Sequence, residues 1–315
     1  MRLIPKHWRA LAAALALAAC TPAEVASDRL PKFVAPPSGS HPKVALVLGS
    51  GGPRGFAHIG VLKVLEENGL KPDLVIGSSV GAMVGAMYAA GVKADELERM
   101  AHQLNVMEFF DLRSLAGGLS SGKAIQAYVN EKVGNRSIEA LPTRFAAAAT
   151  RLSDHKLVLF NHGDTGLAVR ASSASPGQFE PVQVGDQFYV DGDEASPVPI
   201  RAARALGARF VIAVDVSAFE KDTPAGVPQE WIDKDARRLR QITKEASEAD
   251  VILHPNIGYY AGYKEAYRKH VIDVAEQYTR EQLPTIRAKF ATAGLALEAP
   301  QTASTDLIPS GRASR

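Results

Sequence analysis

Cysteine is almost absent from this sequence of 315 residues, in which Cys20 is the only one. A single cysteine excludes an internal disulfide. The sequence also lacks a dense block of Lys and Arg, and its 36 basic residues nearly balance its 34 acidic ones. It therefore has no electrostatic footprint for nucleic acid, and we expect no nucleic acid partner. Because no cluster of residues has the spacing of metal ligands, we expect neither a metal nor another cofactor.

A hydrophobic run long enough to cross a membrane is missing near the N-terminus. The run from Ala10 to Ala19 falls far below the roughly 20 residues that a membrane-spanning helix needs. Arg2, Lys6 and Arg9 precede this run, and a basic opening followed by a short apolar stretch is typical of an export signal. We therefore predict that the N-terminus directs export.

The end of that run resembles a lipoprotein processing site. Leu17-Ala18-Ala19-Cys20 is similar to the lipobox of bacterial lipoproteins, whose signal is cut before a cysteine that is then lipidated. The resemblance implies a lipoprotein signal peptide over residues 1–19 and a membrane anchor on Cys20. An Asp after the cysteine would favour the inner membrane, but Thr21 stands there. The resemblance therefore implies an outer-membrane lipoprotein, which we expect to face the periplasm.

The rest of the chain divides into three segments by composition. Residues 20–42 carry the lipidated cysteine and five prolines, with Ser and Gly between them, which predicts a tether. Residues 43–295 are long enough to bury a large core and are compatible with one α/β domain. Residues 296–315 mix Pro, Thr, Ser and Gly with few large apolar residues, which predicts a disordered tail.

Strand-like and helix-like runs alternate through the domain, which predicts a largely parallel or mixed sheet covered by helices. The predicted strands are Val44–Leu48, Leu74–Ile76, Phe145–Thr150, Leu157–Phe160, Gln187–Val190 and Phe210–Val216. Helices are predicted over Phe56–Asn68, after Gly81, and over Ala94–Leu104, Gly122–Val133, Val198–Leu206, Lys234–Ala249 and Tyr263–Ala293. We expect the last helix to break near Pro284, because proline removes a helical hydrogen bond.

A Gly-x-Ser-x-Gly pentapeptide follows the second predicted strand. In Gly77-Ser78-Ser79-Val80-Gly81, the flanking glycines suit a strand-to-helix turn that is too crowded for Cβ atoms. Ser79 is the candidate nucleophile because Ser78 lacks glycines at the required spacing. The N-terminus of the following helix favours a developing negative charge. The alternative is an ordinary Ser/Gly turn that caps the helix.

A glycine-rich loop follows the first predicted strand. The loop runs from Gly49 to Gly55, and the amides of Gly51 and Gly52 are candidate donors to an oxyanion, with Arg54 in the same turn. The rival pattern is the dinucleotide-binding Gly-x-Gly-x-x-Gly, but Arg54 occupies its sixth position. A phosphate-binding P-loop is excluded as well, because the Gly-Lys-Ser/Thr ending is absent.

Two groups of residues are candidates for activating Ser79. A conventional triad order of Ser79, Asp215 and His254 is available in the sequence. The other candidate is the predicted strand that runs into the acidic turn Asp191-Gly192-Asp193, where an aspartate could act directly as the base.

The three motifs together resemble one family, the bacterial branch of the patatin-like phospholipases, over roughly residues 43–290. Gly51-Gly52-Pro53-Arg54-Gly55 matches the oxyanion segment of the family, and Gly77-Ser78-Ser79-Val80-Gly81 matches its nucleophile elbow. Asp191-Gly192 matches the element that carries the second member of a Ser–Asp dyad. The resemblance implies a three-layer α/β/α fold with a central, mostly parallel sheet.

The resemblance also implies a role for each residue of the motifs. Ser79 would attack an ester carbonyl, Asp191 would take its proton, and Gly51, Gly52 and Arg54 would form the oxyanion hole. The glycines that support the motifs are Gly49, Gly55, Gly77, Gly81 and Gly192. A free aspartate, with a pKa of about 3.9, is a poor base near neutral pH, so we expect burial or a nearby carboxylate to raise the pKa of Asp191.

The expected function is therefore that of a membrane-tethered serine hydrolase that cleaves lipid acyl esters, of the phospholipase A or lysophospholipase type. The alternatives are a small-ester or thioester hydrolase without phospholipid activity, and a catalytically idle envelope lipoprotein that uses the fold for binding. Asp193 departs from the second glycine usual in the family, and we interpret it as a solvated turn residue. Tyr259, Tyr260, Tyr263 and Tyr267 are interpreted as a helix-packing cluster, with membrane contact as the alternative.

Overall fold

The computed structural model describes residues 25–111 and 117–297, and an eight-stranded sheet lies at their centre. The strands are β1 (Val44–Leu48), β2 (Leu74–Ser78), β3 (Arg144–Arg151), β4 (Leu157–Phe160), β5 (Val182–Val184), β6 (Gln187–Asp191), β7 (Phe210–Val214) and β8 (Val251–Leu253). Their order across the sheet is β5-β6-β3-β2-β1-β7-β8, with β4 also paired to β3.

The five neighbouring strands from β3 to β8 in that order are parallel, whereas β4, β5 and β6 are attached by antiparallel pairs. All five residues of β1 are buried, because this strand has neighbours on both edges and is covered on both faces. The prediction of a mostly parallel sheet within an α/β fold is therefore confirmed.

Helices cover both faces of the sheet. They are α1 (Ala57–Glu67), α2 (Val80–Ala89), α3 (Ala94–Gln103), α4 (Lys123–Lys132), α5 (Thr165–Ser172), α6 (Ile200–Ala205), α7 (Gln229–Glu245) and α8 (Glu265–Thr292). Alternate residues of β1 enter two separate cores, with Leu46 and Leu48 in one and Ala45 and Val47 in the other. This alternation produces the three predicted layers.

Helix α8 continues through Pro284, so the prediction of a break there is wrong. Pro284 is exposed, and the carbonyl that loses its helical partner lies on exposed Arg280, where water can bind it. Beyond the proline, Ile286 and Phe290 are buried, and the ring of Phe290 packs edge-on against that of Phe210 at 4.5 Å. Core packing on this side holds the last turns in the helix despite the proline.

Short elements without a clear sequence pattern were not predicted. These are β5 and β8, of three residues each, and α5, which runs from Thr165 to Ser172. Helix α7 begins at Gln229, five residues before the predicted start at Lys234. The other helices end within a few residues of their predicted bounds, as expected for frayed termini.

Part of the predicted tether lies against the domain. Lys32 forms an isolated bridge with His162, and Val34 exchanges two hydrogen bonds of 2.8 Å with the side chain of Asn161. Cys20, the signal peptide and nearly all of the predicted tail lie outside the described residues. Among residues 25–111 and 117–297, no helix has both the length and the apolar character required to cross a bilayer.

Candidate active site

Ser79 lies on a sharp turn between β2 and α2. Its backbone has φ of 55° and ψ of −123°, and such a positive φ is rare for a residue with a side chain. A Cβ on Gly81 would lie 2.2 Å from the carbonyl oxygen of Leu48, and one on Gly77 would lie 2.3 Å from that of Gly81. The two glycines are therefore required by close backbone approach, as the pentapeptide predicts.

Ser172 of α5 holds this turn in place, a role that the sequence pattern did not reveal. The amide of Ser79 donates a 2.9 Å hydrogen bond to Ser172 Oγ, which in turn donates to the carbonyl of Ala148 at 2.6 Å. Because Ala148 belongs to β3, the turn is fixed to the neighbouring strand as well as to its own.

The hydroxyl of Ser79 donates a 2.7 Å hydrogen bond to Asp191 Oδ2, although 112 residues separate the two in sequence. The sheet brings them together in two steps. Ser78 at the end of β2 pairs with Ala148, and the next residue of β3, Ala149, pairs with Asp191. Asp191 is only 3% exposed, so the pair lies in a site shielded from bulk water.

The environment of Asp191 raises its pKa to about 7. Burial is the main cause, because it disfavours the charged carboxylate, and the nearby Asp193 carboxylate adds to the effect. Hydrogen bonds from the Asp193 amide and the Ser79 hydroxyl act in the opposite direction, as does the charge of Lys234. A carboxylate with this pKa is suited to accept a proton near neutral pH.

Gly51 and Gly52 line the same cavity as Ser79. Gly52 has φ of 55° and opens a short 3₁₀ helix over Gly52–Phe56. Arg54 also lines the cavity, but its guanidinium donates to the backbone carbonyl of Tyr259. The oxyanion role of all three residues stays a prediction. A Cβ at any of the other motif glycines of the loop and the acidic turn would lie within 3 Å of a neighbour; these are Gly49, Gly55 and Gly192.

Asp193 is not the solvated turn residue that we expected. Its carboxylate accepts hydrogen bonds from Ser50 Oγ and from the guanidinium of Arg238, and its side chain is 15% exposed. Arg238 also donates to Ser50 Oγ at 2.9 Å and to the Ser50 carbonyl. One arginine of α7 thus joins the glycine loop to the acidic turn. Sequence alone did not indicate Arg238, because it lies far along the chain from both.

The alternative triad of Ser79, Asp215 and His254 is not assembled. His254 Nδ1 lies 3.7 Å from Asp215, and its Nε2 is 2.9 Å from the carbonyl of Ser217. Within the described residues, no histidine lines the cavity next to Ser79. His58 is fully buried, and its Nε2 donates to the carbonyl of Gly49 at 2.8 Å, so it supports the loop. Burial lowers the pKa of His58 to about 4 and keeps the ring neutral.

Ser79 and Asp191 open onto a cavity of about 600 Å³. Much of its wall is apolar and comes from α2, α3, α4 and the 3₁₀ turn over Val106–Phe109; it includes Met83, Met87, Leu97, Met100, Phe109 and Tyr128. Charged residues also line the cavity, among them Asp193 and, from α7, Lys234, Asp235 and Arg238. The site can therefore hold a nucleophile and a base in the wall of a largely apolar cavity.

Comparison with known proteins identifies the family. A family model described as patatin-like phospholipase matches residues 46–204, slightly more than half of the chain. An uncharacterized NTE family protein of Mycobacterium tuberculosis is 37% identical over 205 residues, which cover 63% of this chain and 57% of that protein. A lysophospholipase of Coccidioides immitis is 32% identical over 189 residues, covering 58% of this chain and 12% of that protein.

The fold has a counterpart among solved structures. VipD from Legionella pneumophila matches with a TM-score of 0.54 at 11% identity, covering 86% of this chain and 73% of VipD. That likeness concerns the fold alone, and the chain spans little more than half the length of its mycobacterial relative. From the match over residues 46–204, the chain belongs to the patatin-like phospholipase family.

Proposed function

We propose that the protein is a serine-dependent lipid acyl hydrolase of the phospholipase A or lysophospholipase type, with Ser79 as nucleophile and Asp191 as base. The observation that carries the proposal is the 2.7 Å hydrogen bond from Ser79 Oγ to Asp191 Oδ2 beside a largely apolar cavity. The bond supplies the nucleophile–base contact that acyl transfer requires, and the apolar wall suits a hydrocarbon chain.

The proposed reaction has two halves. Ser79 Oγ attacks the ester carbonyl carbon while its proton passes to Asp191, and the resulting tetrahedral intermediate expels the alcohol, which takes that proton. The acyl group now bonded to Ser79 is attacked by water, whose proton again passes to Asp191. Collapse of the second intermediate releases the fatty acid and returns the proton to Ser79. The positive end of α2, with the amides of Gly51 and Gly52, would stabilise both oxyanions.

The shape of the cavity favours an acyl chain over a small ester. A short acyl group would leave the apolar wall formed by Leu97, Met100 and Phe109 without contact, whereas a long chain would bury it. The lysophospholipase name of the Coccidioides immitis relative agrees with such a substrate. We therefore place the acyl chain between α2, α3 and α4, and the alcohol part of the ester toward α7.

A covalent probe tests the nucleophile. We expect a fluorophosphonate to label the wild type and not Ser79→Ala, with labelling reduced in Asp191→Asn. His254→Ala is the matched control, because the histidine lies near an aspartate but outside the cavity, and it should label like the wild type. If the folded wild type stays unlabelled, the chain is not a serine hydrolase. If His254→Ala loses labelling as Ser79→Ala does, while Asp191→Asn keeps it, the triad replaces the dyad.

A chain-length series tests the substrate. Activity on p-nitrophenyl esters should rise from short to long acyl chains, and phospholipids or lysophospholipids should be cleaved. Met100→Trp would fill part of the cavity along its apolar wall, so it should reduce activity on long acyl chains more than on short ones. Equal losses on all chain lengths, or a wild-type preference for acetate esters, would favour the small-ester alternative.

We also propose that the protein is held at the outer membrane through a lipidated Cys20. This proposal rests on the lipobox-like sequence before the cysteine. Cys20→Ala should move most of the protein from the membrane fraction to the soluble fraction of cells. Persistent membrane association of that variant would count against the lipid as the main anchor.

A further inference from the structure

Two segments beside the mouth of the cavity project into solvent. Every residue of 229–234, the start of α7, is exposed, and so is every residue of 260–266 except Gly262. Together they present Trp231, Tyr260 and Tyr263, which are 50%, 62% and 43% exposed and which all line the cavity. We call these two segments the mouth rim.

The mouth rim concentrates exposed aromatic rings. Of the aromatic residues counted as exposed in the described part of the chain, only Phe33 and Phe188 lie elsewhere. The predicted packing is thus confirmed for Tyr259, which is buried, and for Tyr267, which packs against the core. Tyr260 and Tyr263 are exposed instead, although the ring of Tyr260 also meets that of Tyr259 edge-on at 5.4 Å. Large exposed apolar groups that gather at one place mark an interaction surface, because each of them leaves apolar area in water.

We propose that the mouth rim inserts into the surface of a lipid bilayer and so brings the cavity into contact with its substrate; this inference rests on the proposed lipid hydrolase function. Trp and Tyr are the residues that prefer the membrane–water interface, because their rings are apolar and their N–H or O–H groups can remain hydrated. Trp231, Tyr260 and Tyr263 are exposed and also line the cavity, so an inserted rim would give an acyl chain an apolar path from the bilayer toward Ser79.

Hydrogen bonds connect the mouth rim to the catalytic loop. The hydroxyl of Tyr259 donates to Asp235 Oδ2 at 3.0 Å, and because each residue directly adjoins one rim segment, this bond ties the two segments together. The guanidinium of Arg54, in the glycine loop, donates to the carbonyl of Tyr259. Arg238 provides a second connection from α7 to that loop through Ser50. A bilayer that binds the rim would therefore be held in a fixed position relative to Ser79.

The charge of the mouth rim indicates which lipid surface it fits. The rim has three acidic and two basic residues, namely Glu230, Asp233, Glu265, Lys234 and Lys264, so it is nearly neutral. Arg237 and Arg240 lie about 9 and 14 Å further along α7 than Trp231, at or beyond the screening length of about 8 Å in physiological salt. We therefore expect insertion into a zwitterionic bilayer without a requirement for anionic lipid.

Fluorescence of Trp231 reports insertion directly. The sequence holds two tryptophans, so the Trp8→Phe substitution leaves Trp231 as the sole reporter. The full chain should carry Cys20→Ala to prevent acylation and Ser79→Ala to prevent hydrolysis. With phosphatidylcholine vesicles, we expect a blue shift of the emission and quenching by brominated acyl chains. An unchanged spectrum on vesicles that sediment the protein would overturn the proposal, because Trp231 would then lie outside the contact.

Vesicle co-sedimentation tests the other rim residues in the same Cys20→Ala, Ser79→Ala background. Trp231→Ala should weaken partition by about tenfold, from the apolar area lost, and Tyr260→Ala with Tyr263→Ala should do so to a similar degree. The matched control is Phe188→Ala, which removes a ring that is 47% exposed on β6 and outside the cavity. Equal weakening by the control, or none by the rim variants, contradicts the proposal. A thermal melt of each variant excludes unfolding as the cause of weaker partition.

Lipid composition and salt give a second discriminating readout. Phosphatidylglycerol should not be needed for binding, and added salt should not weaken it; binding that appears only on anionic vesicles and disappears in salt would overturn the proposal. If the wild type cleaves dispersed lysophospholipid but never binds vesicles, the rim serves another partner, such as a protein, and the hydrolase function still stands. If vesicles bind through the rim but no lipid ester is cleaved, the docking surface stands and the hydrolase function fails.

Discussion

Asp193 acts on Asp191 in two opposing ways. Its amide donates a 2.9 Å hydrogen bond to Asp191 Oδ1, which stabilises the charged carboxylate, while its own carboxylate raises the pKa of Asp191. Burial raises that pKa further, to about 7. The base of the proposed dyad is therefore tuned by Asp193, two residues further along the chain.

The pH dependence of catalysis tests this tuning. We expect kcat/KM of the wild type to rise with pH through about 7, as Asp191 loses its proton. Asp193→Asn keeps the amide donor but removes the neighbouring charge, so the rise should move to lower pH. Asp154→Asn is the control, because its exposed carboxylate pairs with Arg151 in a turn outside the cavity and should leave the profile unchanged. A profile of Asp193→Asn that matches the wild type would show that the charge of Asp193 does not tune the base.

Burying Asp191 as a carboxylate should lower stability. The pKa of Asp191 is about 7 when folded and about 3.9 when unfolded, so its ionisation favours the unfolded state. The stabilisation that the protonated Asp191 gives the folded state is complete below the unfolded pKa and is lost as pH rises through the folded pKa. At pH 8 the difference amounts to at most about 4 kcal/mol, because one pKa unit is about 1.4 kcal/mol.

Asp191→Asn should therefore raise the free energy of unfolding at pH 8 while it abolishes turnover, and the gain should shrink as pH falls toward 4. Denaturant unfolding of both proteins across that pH range provides the measurement. A gain that is the same at pH 5 and pH 8 would mean that ionisation of Asp191 is not its source.

Pro284 gives a prediction about the fold that does not depend on function. It is an exposed residue inside α8, where proline costs about 3 kcal/mol relative to alanine in a helix interior. Pro284→Ala restores an amide that can donate to the carbonyl of Arg280, so it should raise the free energy of unfolding by about 1–3 kcal/mol. The gain is reduced because alanine leaves the unfolded chain more conformational freedom than proline does. Thr285→Ala, at the next exposed position, should change it by less than about 0.7 kcal/mol. Chemical denaturation measures both, and a destabilised Pro284→Ala would mean that the helix requires the proline.

The sequence predicted those parts of the site that depend on local backbone geometry. Gly77 and Gly81 can be identified from sequence because a crowded turn excludes every side chain, and the strand before them is marked by its apolar residues. The role of Asp191 can be predicted only from the family resemblance, because its contact with Ser79 depends on the register of two strand pairs. No local pattern encodes such a register.

The missed residues act through tertiary contacts alone. Ser172 and Arg238 have ordinary helical surroundings in sequence, and their roles arise only when α5 and α7 pack beside the two loops. The prediction for Asp193 was wrong for the same reason, because its carboxylate is bound by Arg238, 45 residues further along the chain. The prediction at Pro284 was wrong because local propensity was outweighed by the packing of Phe290 on Phe210.

Arg238 should couple stability to catalysis. Arg238→Met leaves the carboxylate of Asp193 without its cation and releases the carbonyl of Ser50, so the glycine loop loses a support. Removing one partner of a fully buried pair costs about 3–5 kcal/mol; because Asp193 keeps some contact with solvent, we expect a smaller loss here, together with a reduced kcat. Adding Asp193→Ala should recover part of the stability, and the double-mutant cycle should give a coupling of roughly 0.5–3 kcal/mol. The kcat should not recover with it, because Ser50 still lacks the donor from α7. Additive effects on stability would indicate that the two side chains act independently, and full recovery of kcat would place the catalytic effect in the charge of Asp193 alone.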